Sequence, residues 1–89
     1  MTRYIIEKAP LEVSWIIREH GANTIVGSLT QKGLLYTAES ESFRTISQGT
    51  DPVLVLRTVF RTEDFFVERD GTLHLLSPEH IRVMVGSLK

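Results

Sequence analysis

The sequence predicts a mainly β fold, a small antiparallel barrel or curved sheet with one short C-terminal helix. Three observations lead there. Ile, Val and Thr together number 24 against three Ala, a balance that favours pleated over helical backbone. Apolar and polar residues alternate with period two from Leu11 to Ile17, the pattern of a half-buried strand. Asp70-Gly71 stands between two strand-like runs, and that dipeptide selects a two-residue type I′ turn because both positions need positive φ.

The elements follow in order. Residues 3–8 form a first strand closed by Ala9-Pro10. From Leu11, the set Leu11, Val13, Trp15 and Ile17 faces one way and Glu12, Ser14 and Arg18 the other. The alternative is an α+β domain with a helix at 10–20, Pro10 in its first turn and Gly21 as its C-terminal cap. If 24–32 were also helical, the region up to Ser47 would read as a helix-turn-helix with a wing. As a strand, Thr24 to Thr30 puts Ile25 and Leu29 on one face, with Gly27 marking a bulge or a close backbone approach. Gln31-Lys32-Gly33 turns into a strand at 34–38, Glu39 to Ser42 is a polar loop, and a short strand covers 43–47. Gln48 to Pro52 breaks the chain, and Val53-Leu54-Val55-Leu56 reads as a central strand covered on both faces.

The Asp70-Gly71 turn sets its register, with Arg69 opposite Thr72, Glu68 opposite Leu73, Val67 opposite His74 and Phe66 opposite Leu75. Ser77-Pro78-Glu79 supplies an N-cap, a proline for the first turn and an acid beside it. It opens the short helix ended by Gly86, with a last strand at 81–85 as the alternative. The expected core is Ile6, Val13, Trp15, Ile17, Ile25, Leu29, Leu35, Phe43, Leu54, Leu56, Phe60, Phe66, Leu75, Ile81 and Val83.

The 89 residues bound a single domain. There is no cysteine, which excludes a disulfide framework, thiolate catalysis and thiolate-bound zinc. The first eight residues lack the apolar stretch of a secretory signal, and no apolar run approaches a membrane span; a cytoplasmic chain fits. The formal net charge of −1 supplies no whole-molecule field to draw it onto nucleic acid or anionic lipid.

Val13 to Leu29, with Gly21 and Gly27 framing Thr24-Ile25-Val26, resembles in part the first motif of Sm-type RNA-binding barrels. Thr30, Gln31, Lys32 and Gly33 stand where that family has an aromatic-Asp pair and then an Asn, so the family is not assigned. His20, His74 and His80 match no ligand spacing, and no metal or cofactor is expected. The pairs Glu39/Glu41 and Glu63/Asp64 read as solvated loop acids. No serine sits in a nucleophile elbow, so no catalytic residue is assigned and the chain is not expected to be an enzyme.

Two function classes remain. The first is a protein-interaction module that self-associates or docks on another protein. A chain this short buries only about 60% of its unfolded surface, and Val53, Val55 and Val59, opposite Leu54, Leu56 and Phe60 on a strand, would need a partner surface. The second is a small nucleic-acid-binding regulator using Arg44, Arg57 and Arg61, flanked by Tyr36 or Phe43. The bland account of these arginines pairs them with Glu63, Asp64, Glu68 and Asp70.

Overall fold

The computed structural model describes residues 2–10, 14–22 and 24–86. Its elements are β1 (Tyr4–Lys8), β2 (Ser14–Glu19), β3 (Thr24–Lys32), β4 (Leu35–Ser40), β5 (Thr45–Gly49), α1 (Pro52–Phe60), β6 (Phe65–Arg69), β7 (Thr72–Leu76) and α2 (Pro78–Gly86). All seven strands join one mixed sheet in the order β5-β4-β3-β2-β1-β6-β7. Strands β1 to β5 form an antiparallel meander, β6 joins β1 in parallel, and β7 returns beside β6. Of the two expected forms, the closed barrel gives way to an open sheet. That sheet is mixed rather than purely antiparallel, and a second helix accompanies the expected C-terminal one. A parallel neighbour needs a crossover, and α1 carries the chain from the β5 edge to the far side of β1, leaving β5 and β7 as separate edges.

The expected strand from Val53 is a helix. Asp51, in extended backbone, accepts from the Val53 N–H at 3.0 Å, and Pro52 occupies the first turn. Both are N-terminal helix signals. Burial then follows a helical period, with Val53, Val55, Leu56, Val59 and Phe60 in the core and Leu54 60% exposed. Packing of that face outweighs the strand preference of valine. The helix at 10–20 gives way to β2 over Ser14–Glu19, with 11–13 outside the described residues, and β3 removes the helix-turn-helix alternative. The strand expected at 43–47 begins two residues later, since Arg44 takes positive φ in the β4–β5 turn. Glu39 and Ser40 belong to β4 rather than a loop.

The Asp70-Gly71 hairpin has the expected register at all four pairs, and both turn residues have positive φ. In α2 the Ser77 hydroxyl accepts from the His80 N–H at 3.1 Å, the expected N-cap. A register shift at Ile17/Arg18 inserts an extra β3 residue between the partners of Ile17 and Arg18, Gly27 and Ile25. Such a bulge inverts the alternation: Leu29 stays in the core while Ile25 turns to the opposite face and is 54% exposed.

Both helices pack on one face of the sheet. There Tyr4, Ile6, Trp15, Ile17, Leu29, Tyr36 and Ala38 meet Val53, Leu56, Phe60, Ile81 and Val85. Phe60 lies edge-on to Phe65, with Tyr4 tilted against both. Five other expected core residues are exposed: Leu35, Phe43, Leu54, Leu75 and Val83. Where two apolar residues are adjacent, as in Leu35-Tyr36, Phe65-Phe66 and Leu75-Leu76, it is the other member that enters this core. Val83 lies off the α2 face defined by Ile81 and Val85, which are one turn apart.

Candidate functional site

The second face of the sheet carries neither helix. Strand pairing builds a continuous lateral row across it: Leu75 opposite Phe66, Phe66 opposite Ile5, Ile5 opposite Arg18, Arg18 opposite Ile25. Ile5 at its centre is fully buried, while the row ends in Leu75 at 62% and Ile25 at 54% exposure. A neighbouring row contains Leu73 opposite Glu68, and Glu7 opposite Ile16. Farther along it lies Ile46, 67% exposed on β5. Several large aliphatic side chains thus face solvent on one side of one sheet, a surface that soluble domains rarely leave unoccupied.

Arg18 is paired in place with two carboxylates. Arg18, its side chain 13% exposed, donates through Nε to Glu7 Oε1 at 2.8 Å and through Nη2 to Glu68 Oε1 at 2.8 Å. These two carboxylates, Glu7 foremost, hold the guanidinium pKa above its ordinary value. Arg3 lies with its guanidinium carbon 5.9 Å from the Phe66 ring centre. The result is an apolar surface with an ion triad at its middle, one cation between two carboxylates and so net −1, with the Arg3 guanidinium nearby.

The sequence-derived residues are placed elsewhere. Val53, Val55 and Val59 are buried inside the chain's own core, at 1%, 4% and 0% exposure. As helix residues they face the sheet, so the premise that they need an outside partner fails with the strand assignment. Arg57 lies on α1, Arg61 forms its left-handed C-cap, and Arg44 sits in the β4–β5 turn. The structure brings that turn to the end of α1: Arg61 stacks 4.9 Å over the Phe43 ring, and Thr45 Oγ1 donates to the Val59 carbonyl. The pairing of these arginines with Glu63, Asp64, Glu68 or Asp70 does not occur among the described residues. Glu68 is taken by Arg18 instead, and Arg82 pairs with Asp51 at 3.0 Å. The Arg82 guanidinium, helped by the Val53 N–H and opposed by burial, holds the Asp51 pKa below the usual carboxylate value.

His20, His74 and His80 are all exposed, and among the described residues no group of three or more His, Asp or Glu is placed to hold a metal ion. A shallow depression beside the β4–β5 turn is lined by Glu39, Glu41 and Arg44, so its charge is of mixed sign. No described helix is long and apolar enough to cross a membrane. Sequence reasoning placed Phe66, Leu75 and Ile25 in the core and so missed the open face. The available signal was the runs apolar on both sides at Phe65-Phe66 and Leu75-Leu76, which a sheet covered on one face leaves half exposed. No known protein family, curated protein or solved structure matches the chain.

Proposed function

We propose that this protein is a self-association module whose contact surface is the helix-free face of its sheet, and that the occupant of that face is a second copy of the chain. The observation that carries this is the row Leu75–Phe66–Ile5–Arg18–Ile25, apolar at both exposed ends, with its one cation, Arg18, already paired within the chain. The Arg18 guanidinium at its middle already has its carboxylate partners within the chain, which suits an apolar contact better than an acidic ligand. The five strands of the row, β3, β2, β1, β6 and β7, span about 24 Å by 17 Å at normal strand spacing and rise. Two such faces make roughly 800 Å² in projection, the size class of weak, reversible association. Sedimentation equilibrium from 5 to 500 µM (roughly the range for such contacts) should show the mass rising from 10.1 kDa toward twice that value. A 10.1 kDa species throughout refutes the reading.

A second reading, binding of single-stranded nucleic acid, draws on one specific observation. Arg44, Arg57 and Arg61 form no ion pair among the described residues, and Arg61 lies against the partly exposed Phe43. It predicts oligonucleotide binding that weakens steeply with salt and is lost in the double variant Arg57→Glu, Arg61→Glu. No binding at 20 mM salt (about 20 Å of screening length) refutes it.

A further inference from the structure

We infer that the outer edge of β5 docks an extended segment of a partner protein, which adds to the sheet as a further strand. The segment runs antiparallel to β5, sets one apolar side chain against Leu54 of α1 and ends in an acid beside Arg61. This edge lies two strands beyond the row that ends at Ile25 of β3, so its occupation neither requires nor prevents contact through the helix-free face.

Strand pairing fixes which backbone groups the edge offers. The Glu41 N–H donates to the Val26 carbonyl at 2.8 Å, one pair beyond Gly27 opposite Ser40. Bonded pairs alternate along an antiparallel ladder. Thr37 and Glu39 therefore turn their groups to β3, while Tyr36, Ala38 and Ser40 turn theirs to Gly49, Ser47 and Thr45. Ile46 and Gln48 are left with N–H and C=O directed away from the sheet, an array that another extended backbone matches group for group. The strand, Thr-Ile-Ser-Gln-Gly, has neither the charge nor the proline that commonly blocks an edge.

A groove runs along this edge. α1 lies beside β5 in the opposite direction, with Val55 against Gly49 and the Thr45 hydroxyl donating to the Val59 carbonyl. Between them is a depression of about 240 Å³ lined by Ser47, Gly49, Asp51, Leu54, Val55 and Thr58. Sites for drug-sized ligands hold roughly 300–1,000 Å³, so this one suits a side chain of a bound strand. A residue opposite Ser47 projects to the helix side, as Ser47 does, and meets Leu54, which is 60% exposed. The β5 strand of a second copy would bring only Thr45, Ser47 and Gly49 to that side, too little to fill the depression. At the Thr45 end stands Arg61, the α1 C-cap, in no ion pair among the described residues. Glu39, opposite Ile46, and by alternation Glu41 belong to the other face, so an acid opposite Thr45 meets the guanidinium rather than those carboxylates.

The probe is the peptide acetyl-Thr-Thr-Leu-Val-Glu-amide, its leucine opposite Ser47, titrated to about 2 mM (the weak-contact range) and followed by NMR. Amide signals of Ile46, Ser47, Gln48, Leu54 and Thr58 should move. Hydrogen exchange at Ile46 and Gln48, fast in the free chain, should slow about fivefold or more. Methylating the backbone nitrogen of the second threonine or of the valine, which face β5, should weaken binding at least about tenfold. The same change at the leucine, whose nitrogen faces away, should alter it by less than about threefold. Ile46→Pro removes one outward donor without touching the β4 ladder and should abolish binding with circular dichroism unchanged; the methylated peptides test the same point on the unaltered chain. No shift at the highest concentration, or equal losses from all three methylations, overturns the proposal. Slow exchange at Ile46 and Gln48 that strengthens with protein concentration before peptide is added places a second copy on the edge and overturns it too. A lysine in place of the glutamate should weaken binding at least about threefold, and equal binding overturns the acidic end.

Discussion

Gly27→Ala offers the most direct test of the packing described for β3. A methyl group at Gly27 would fall well inside contact distance of the Glu39 carbonyl oxygen and 2.6 Å from Phe60 Cζ. Carbon atoms in optimal contact stand about 3.5–4.0 Å apart, so the ring must retreat by about 1 Å and the β3–β4 ladder must open beside it. Phe60 is 1% exposed and packed against Tyr4 and Phe65, which leaves it no free volume. Overpacking typically costs about 1–3 kcal/mol. With a backbone oxygen and a central ring both displaced, we expect the upper end, about 3 kcal/mol. For a domain of this size that lowers Tm by about 12–24 °C. Gly33→Ala is the control: it has φ +62 but nothing within 4 Å of the added carbon, so only the left-handed backbone opposes it, at about 1–2 kcal/mol. Trp15 is the single tryptophan and is 8% exposed, so its fluorescence, alongside circular dichroism, follows unfolding in heat and urea. The reasoning fails if Gly27→Ala melts within about 3 °C of the wild type (under 1 kcal/mol), or above Gly33→Ala.

Two further predictions concern the turn and the cap. Gly71→Val should cost about 1–2 kcal/mol purely through its backbone, because φ is +79 and no atom lies within 4 Å of the added carbon; an unchanged urea midpoint would contradict the turn. Asp51→Ala removes the α1 cap and should cost about 1 kcal/mol near neutral pH. Asp51→Asn keeps a capping oxygen but loses the ion pair with Arg82. Because the Asp51 pKa is depressed in the folded state, its contribution is present above the unfolded carboxylate value of about 3.9 and disappears as pH falls through the lower folded value. The stability gap between wild type and Asp51→Asn should therefore narrow from pH 6 downward through pH 3; a gap that is constant over that range contradicts the assigned pairing.

Much of the strand framework was legible because its signals are local. The Asp70-Gly71 turn dictates four register pairs by itself, and Ser77-Pro78-Glu79 marks the start of α2 with the capping bond later found between Ser77 and His80. What was not legible depends on the other side of the chain. Val53 to Phe60 is rich in β-branched residues, yet its Asp51-Pro52 start and the sheet waiting beneath it make a helix. Ile25 was misplaced because a bulge changes the face of every residue beyond it, and nothing near Gly27 says on which strand the extra residue falls. The open face escaped for a related reason. In Phe65-Phe66 and Leu75-Leu76 both neighbours are equally apolar, and only the position of the helices decides which of each pair is covered. Arg18 with Glu7 and Glu68 joins residues from three strands, one of them 50 positions away in the chain, a distance at which no sequence spacing carries information.

The parallel pairing of β1 with β6 also sets a timetable for folding. Tyr4 and Phe65 are paired although 61 positions apart (65 minus 4), and only one further pair, Ile5 with Phe66, extends that ladder. Closing a loop of this length costs about 3.6 kcal/mol of chain entropy before contact is gained, whereas the hairpins from β1 to β5 close over short turns. We therefore expect the meander to form early and the segment from α1 to α2 to dock late. With that order β1 would present an unpaired edge, which β6 of a neighbouring chain could satisfy as well as the chain's own. Refolding yield should consequently fall with protein concentration through strand exchange at β1, an outcome governed by the crossover and independent of any contact made by the finished sheet.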